Sequence, residues 1–269
     1  MNTKFTISKW WQTLARVLLF CISCAVILAV TSRLTQGLLK PWAILILGLV
    51  SASGALILTI LFVRWEGLSL KGVGVVPAKS TLLRTLTGFV IGLFLSILQP
   101  LLVLLTGHIR FVKSSSVTLD SVLITLLMYF ILASREELAF RGYPLRSLNN
   151  VLGSWAAQLI VASLFIAEHI LGGMTFLQAF WGVGTGSLFF GIAALKTKGL
   201  AVPIGLHAAW NFGQWGMGFK DGSGLLQVII EQGYEKRIEQ AGMISYLIVM
   251  FFGILGFYYY GRKNSYKYA

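Results

Sequence analysis

Residues 121–144 read SVLITLLMYFILASREELAFRGYP, so a long apolar run without charge leads directly into a cluster of charged residues. The charges are Arg135, Glu136, Glu137 and Arg141. An ionisable side chain at the centre of a bilayer costs roughly 2.5–3.5 kcal/mol on insertion scales, and such residues are typical of functional sites. The cluster is therefore a candidate functional site inside a membrane.

The composition of the whole chain indicates an integral membrane protein. Of its 269 residues, 57% are hydrophobic and only 12% are charged, and the mean hydropathy is +0.80. Soluble domains carry about 25% charged residues. Transmembrane β-strands would be about half as long as the apolar stretches seen here and would alternate in polarity. We therefore predict an all-α fold, a polytopic transmembrane helical bundle of about eight spans.

The spans are predicted where apolar stretches approach the ~20 residues needed to cross a bilayer. They lie near Leu14–Val30, Trp42–Val63, Leu82–Leu105, Leu119–Ser134, Trp155–Leu171, Phe176–Leu195, Leu200–Trp215 and Met243–Tyr260. We divide this single integral membrane domain into N-terminal transmembrane helices (1–118), a helical core with the candidate site (119–215), and a surface loop with the C-terminal transmembrane helix (216–269). Within the last segment, residues 225–240 are compatible with a short surface helix that is broken at Gly233.

The net charge of +13 does not indicate a nucleic-acid partner, because the basic residues are scattered singly through the loops. Such scattering is typical of membrane orientation signals. With eight spans, 15 Lys and Arg residues fall on the side of the N-terminus and 7 on the other. This asymmetry predicts a multi-pass protein of the cell membrane, in contact with lipid, with both termini cytoplasmic. Cys21 and Cys24 lie within the first span and are interpreted as packing residues.

Helical spacing separates the roles of the two glutamates. Residues four apart share one face of a helix, whereas neighbours project about 100° apart. Glu137 can therefore form an ion pair with Arg141, while Glu136 is directed elsewhere and can face a cavity. The alternative is that both glutamates simply bind arginines, including Arg135.

His169 is predicted to lie at the depth of Glu136. Asn149–Gly153 contains good helix breakers, and the two residues lie at nearly equal distances before and after this turn. At 1.5 Å per residue they should be level in an antiparallel hairpin. A carboxylate beside an imidazole can activate water, although a single histidine on an apolar helix can equally be a packing residue.

His207 and Asn211 are four residues apart and share a face of the seventh span. Both can donate hydrogen bonds without carrying charge, as an oxyanion hole requires; the alternative is a polar clamp between helices. Together with Glu136 and His169, they supply the groups needed for acyl-group hydrolysis.

The motifs resemble those of the CPBP intramembrane proteases, a family that includes the type II CAAX prenyl proteases and the abortive-infection-like (Abi) proteins. The resemblance covers roughly residues 119–215. It is carried by three motifs in order: Glu136-Glu137-x-x-x-Arg141, Phe165-x-x-x-His169 and His207-x-x-x-Asn211.

The resemblance implies an endopeptidase that hydrolyses a peptide bond of a membrane-anchored protein or peptide, which in this family can be a prenylated CAAX substrate. It implies that Glu136 and His169 activate the water and that His207 and Asn211 hold the oxyanion. Glu137, Arg141 and Phe165 would support this geometry.

The family has been described both as metalloproteases and as glutamate-dependent proteases. The sequence favours the water-only mechanism, since it contains no His-Glu-x-x-His zinc motif. If zinc is bound, Glu136, His169 and His207 are its expected ligands. The alternative to an enzyme is a non-catalytic membrane scaffold or immunity protein, or a proton-coupled transporter. Such a protein would use the same polar network.

Overall fold

A computed structural model of the chain describes residues 10–220 and 222–265, and these are almost entirely helical. Two short strands connect neighbouring helix ends. The elements in order are α1 (Trp10–Leu34), α2 (Lys40–Trp65), α3 (Thr81–Leu104), β1 (Ile109–Lys113), α4 (Leu119–Glu137), α5 (Tyr143–Leu152), α6 (Ser154–Leu171), α7 (Phe176–Gln178), α8 (Thr185–Thr197), α9 (Ala201–Gly216), β2 (Leu226–Ile230) and α10 (Glu235–Ser265). The predicted all-α polytopic bundle is confirmed.

Six helices are long and apolar enough to cross a membrane, judged by length and composition among the described residues. They are Trp10–Leu34, Lys40–Trp65, Thr81–Leu104, Ser154–Leu171, Phe176–Thr197 and Glu235–Gly261. The two other predicted spans are also helices, α4 and α9, but α4 ends in charged residues and α9 has only 16 residues. These two helices pack against each other and carry three of the four candidate catalytic residues, Glu136, His207 and Asn211.

The two π-helical segments lie in helices that border this site. Residues Leu138–Gly142 join α4 to α5, and Ala179–Gly184 join α7 to α8. A π-helical turn inserts an extra residue into a helix, and such turns are frequent at functional sites. The turn after α5 falls at Gly153, whose φ of 79° suits glycine. The predicted hairpin turn at residues 149–153 is therefore confirmed.

Both ends of the described chain lie at one end of the bundle. Near the start of α1, Thr13 donates a hydrogen bond to Glu66, which also accepts one from Ser147 on α5. Near the end of α10, Gly261 packs against Lys196 at the end of α8. The opposite end of the bundle carries the two strands.

The strands form an antiparallel pair, with Ile109 opposite Ile230 and Lys113 opposite Leu226. The expectation of a short surface helix over residues 225–240, broken at Gly233, is wrong for the part before Gly233. Leu226–Ile230 alternates between half-buried and exposed residues, the two-residue period of a strand, and its inner side chains pack against Val103 and Ile238. Only from Glu235 does the chain become helical.

Helices α3 and α9 run parallel and approach each other closely at glycines. A Cβ atom added at Gly88 would meet the carbonyl oxygen of Val202, and one at Gly92 would meet that of Leu206. Gly88 and Gly92 form a Gly-x-x-x-Gly spacing, in which small residues let helix backbones approach closely. The spacing Gly182-x-x-x-Gly186 behaves differently, since a Cβ at Gly182 would meet no atom within 4 Å.

The α3–α9 contact predicts a loss of stability for Gly205→Ala. The added Cβ would collide with the carbonyl oxygen of Thr85 and lie 2.8 Å from the backbone nitrogen of Phe89. Because neither backbone group can move freely, we expect a loss of about 1–3 kcal/mol, as for other overpacked cores. Thermal unfolding in detergent measures this change.

The matched control is Gly256→Ala on α10, where an added Cβ meets no atom within 4 Å. This variant should be as stable as the wild type or slightly more so, because alanine is the better helix former by about 1 kcal/mol. Equal melting temperatures for the two variants would contradict the close α3–α9 packing.

Candidate active site

A partly open cavity of about 450 Å³ lies between α4, α6, α8, α9 and α10. All four side chains that the sequence singled out for chemistry line it, although they come from three different helices: Glu136, His169, His207 and Asn211. Other polar side chains complete the wall: Gln99, Gln178, Gln214, Lys220, Glu239 and Tyr246.

Glu136 uses its two carboxylate oxygens differently. Its Oε1 accepts a hydrogen bond of 2.9 Å from Nη2 of Arg135, whereas its Oε2 lies 3.5 Å from Nε2 of His207. The side chain keeps 16% of its surface exposed, toward the cavity. Glu136 thus binds an arginine and faces the cavity at the same time, so the two interpretations left open by the sequence are compatible.

Glu137 forms a fully buried ion pair with Arg141, with 3.4 Å between its Oε1 and Nη1 of the arginine. The guanidinium group lies 4.5 Å from the ring centroid of Phe165. The same Oε1 of Glu137 accepts a hydrogen bond of 2.9 Å from Nδ1 of His207. This carboxylate therefore holds the imidazole ring from the side opposite the cavity.

The contact with Glu137 changes the expected role of His207. A neutral imidazole carries one N–H group, and here it lies at Nδ1 and donates to Glu137. The neutral ring thus has no proton at Nε2, the nitrogen that faces Glu136. With Nδ1 donating to Glu137, donation from Nε2 into the cavity requires the imidazolium form, and the role of His207 at the oxyanion stays a prediction.

His169 is fixed by the helix that carries it. Its Nδ1 donates a hydrogen bond of 2.9 Å to the backbone oxygen of Phe165, one turn earlier, and the two rings meet edge to face. Because Nδ1 is the donor, Nε2 of the neutral ring is an acceptor. His169 and Glu136 border the same cavity, consistent with the predicted equal depth.

Asn211 has a partner that the sequence did not indicate. Lys220, in the segment after α9, donates a hydrogen bond of 2.8 Å to Oδ1 of Asn211. Lys220 thus uses the acceptor atom of Asn211, and the amide nitrogen can donate a hydrogen bond to a ligand. Nothing in the sequence pairs these residues, because Lys220 lies in an irregular segment without periodicity.

Glu168 is a second residue that the sequence reasoning missed. Its Oε1 accepts hydrogen bonds of 2.8 Å from both terminal nitrogens of Arg135. A signal for it did exist: Glu168 is itself an acid within an apolar span, and the hairpin that places His169 beside Glu136 also places Glu168 beside Arg135.

The expected zinc ligands do not form a metal site as they are arranged. Among residues 10–220 and 222–265, no group of three or more His, Cys, Asp or Glu side chains could hold a metal ion. The Oε1 atom of Glu136 already accepts a hydrogen bond from Arg135. A zinc site would need three convergent protein ligands.

The comparison with protein families agrees with the motifs. Residues 118–213 match the family described as type II CAAX prenyl endopeptidase Rce1-like. No curated protein matches the chain. The matched segment contains α4, α6, α8 and most of α9, and hence every residue of the three motifs. The family indicated by the motifs is therefore confirmed over residues 118–213, which form an Rce1-like domain within this multi-pass membrane protein.

Proposed function

We propose that this protein is an intramembrane endopeptidase that hydrolyses a peptide bond of a membrane-anchored protein or peptide, with Glu136 as the general base. The observation that carries the proposal is the convergence of the three motifs on one cavity, where Oε2 of Glu136 is directed toward the interior. The match of residues 118–213 to a family of proteases also supports the proposal.

In the proposed reaction, a water molecule is held between Oε2 of Glu136 and Nε2 of His169. Glu136 takes one proton from the water as its oxygen attacks the carbonyl carbon of the scissile bond. The carbonyl oxygen becomes an oxyanion, which accepts a hydrogen bond from the amide nitrogen of Asn211. His207, when protonated on both nitrogens, adds a second donor from Nε2.

The tetrahedral intermediate then collapses by cleavage of the carbon–nitrogen bond. The proton held by Glu136 passes to the leaving nitrogen, so the products are a carboxylic acid and an amine. Glu137 contributes by holding the ring of His207 and Arg141 by pairing with Glu137. The backbone oxygen of Phe165 accepts the hydrogen bond from Nδ1 of His169 and so orients that ring. No step passes through a metal ion.

The substrate is proposed to be anchored in the membrane, because the cavity lies among helices that cross it. The resemblance to the family supports the proposal of a prenylated CAAX-type substrate. The distribution of Lys and Arg supports the proposal of a cell-membrane location with cytoplasmic termini. The cavity wall includes Met174, Phe219 and Met243 beside the polar groups. An apolar peptide segment suits such a lining.

The proposal is tested with the purified protein in liposomes and peptides that carry a farnesyl group, an acyl group or no lipid. Cleavage in H₂¹⁸O should introduce one ¹⁸O atom into the new carboxyl group, and the lipidated peptides should be cleaved faster. Absence of cleavage, combined with proton or solute flux across the same liposomes, would favour a transporter instead.

The arrangement of the ligands also predicts the outcome of metal removal. Since no group of three possible metal ligands converges in the part of the chain that the structure describes, we expect cleavage to continue after treatment with 1,10-phenanthroline and dialysis. The rate and the metal content of the same preparation are measured before and after treatment. Loss of activity that stoichiometric Zn²⁺ restores would show that Glu136, His169 and His207 rearrange around a metal ion.

A further inference from the structure

The cavity is bordered by a charged contact between α4 and α6 that the proposed reaction does not use. Arg135 is buried, with 6% of its surface exposed, and it donates from both terminal nitrogens to Oε1 of Glu168. The Nη2 nitrogen also donates to Oε1 of Glu136. One guanidinium group therefore bridges two carboxylates on two helices.

We propose that Arg135 and Glu168 are positioning residues that hold Glu136 in its catalytic orientation, an inference that rests on the proposed function. The guanidinium group is planar and presents its donors in a rigid fork. Glu168 holds this fork from α6, and the fork in turn holds Oε1 of Glu136. The carboxylate is thereby turned so that Oε2 faces the cavity.

The contact also sets the distance between the two water-activating groups. Glu168 directly precedes His169 on α6, and Arg135 directly precedes Glu136 on α4. The hydrogen bonds between Arg135 and Glu168 therefore fix the distance between their neighbours, Glu136 and His169. A misplacement of 1 Å in a reacting group can cost about 100-fold in rate, so this bridge has direct consequences for catalysis.

The charge balance explains why a second carboxylate is needed. Arg135 alone would neutralise Glu136 in a site of low dielectric constant. Because Arg135 is shared with Glu168, the three groups together keep one negative charge. The neighbouring Glu137 is neutralised separately by Arg141. The bridge can thus hold Glu136 in place without cancelling the charge that it needs as a base.

The test measures kcat, KM and the melting temperature for Arg135→Gln, Glu168→Gln, the double variant and Arg135→Lys. We expect Arg135→Gln to lower kcat about 10- to 100-fold with little change in KM, since the base is misdirected while the substrate still binds. The double variant should match Arg135→Gln in kcat, because the two residues act as one unit. Arg135→Lys should recover part of kcat.

The control is Glu66→Gln, at the far end of the bundle. Glu66 also links three helices, through Thr13 and Ser147, and its side chain is 7% exposed. This variant should lower the melting temperature without changing kcat. If the Arg135 variants lower only stability, or if the double variant restores both stability and kcat, the contact is structural and the inference is wrong.

A structure of Arg135→Gln answers the same question without turnover. We expect the Glu136 side chain to leave its wild-type rotamer while the backbone of α4 stays in place. An unmoved Glu136 would overturn the positioning role. The proposed function would fail by a different result, namely cleavage that continues when Glu136 is replaced. That result would not change the position of Glu136 in the Arg135→Gln structure.

Discussion

Glu136→Gln is expected to lower kcat by about 10³- to 10⁴-fold, near the upper range for loss of a general base. Glutamine has the shape of glutamate, and its Oε1 can still accept the hydrogen bond from Arg135. It cannot take a proton from water. The fold should therefore persist while the reaction stops, and the initial rate of cleavage of a lipidated peptide measures the effect.

The control for this prediction is Leu127→Ala on the same helix, where the side chain is 54% exposed on the outer surface of the bundle. Its kcat should remain close to that of the wild type. If Glu136→Gln cleaves within about threefold of the wild-type rate, far less than a base contributes, Glu136 does not activate the water and another acid in the cavity must be considered.

Asn211→Asp is expected to lower kcat by about 10²- to 10³-fold, the cost of removing one oxyanion donor. Aspartate keeps the oxygen that accepts the hydrogen bond from Lys220 and gains an ion pair with it. The fold should be as stable as before. The variant nevertheless loses the amide donor and places a negative charge beside the developing oxyanion.

A matched control places the same charge elsewhere in the same cavity. Gln178 lines the cavity near its exposed rim, and its Oε1 accepts a hydrogen bond from Thr175 that glutamate can keep. Gln178→Glu should change kcat by no more than about threefold, since exposed charges are screened by salt. Equal losses in both variants would indicate a general effect of charge on the cavity, not a role of Asn211 at the oxyanion.

The helical fold could be predicted because lipid imposes simple rules on sequence. A membrane requires long apolar helices with all backbone groups bonded internally, so the spans were visible as apolar stretches. The strand Leu226–Ile230 could not be predicted in the same way. Its pairing with Ile109–Lys113 joins segments more than 100 residues apart, and the local pattern of residues 225–240 was compatible with a helix.

The site was partly predictable for a similar reason. Polar residues in apolar helices are few, and this made Glu136, His169, His207 and Asn211 conspicuous. Their partners were harder to find. Lys220 contacts Asn211 from an irregular segment outside the matched domain, where neither helical spacing nor polarity marks it.

The sequence by itself determined the class of the fold and the chemical groups of the site, because a polar side chain within lipid stands out wherever it occurs. Only the tertiary structure decided how those groups are shared. Arg135 binds two carboxylates, and Glu137 accepts the hydrogen bond from Nδ1 of His207. Such choices depend on distances of a few ångströms between different helices, and linear spacing carries no information about them.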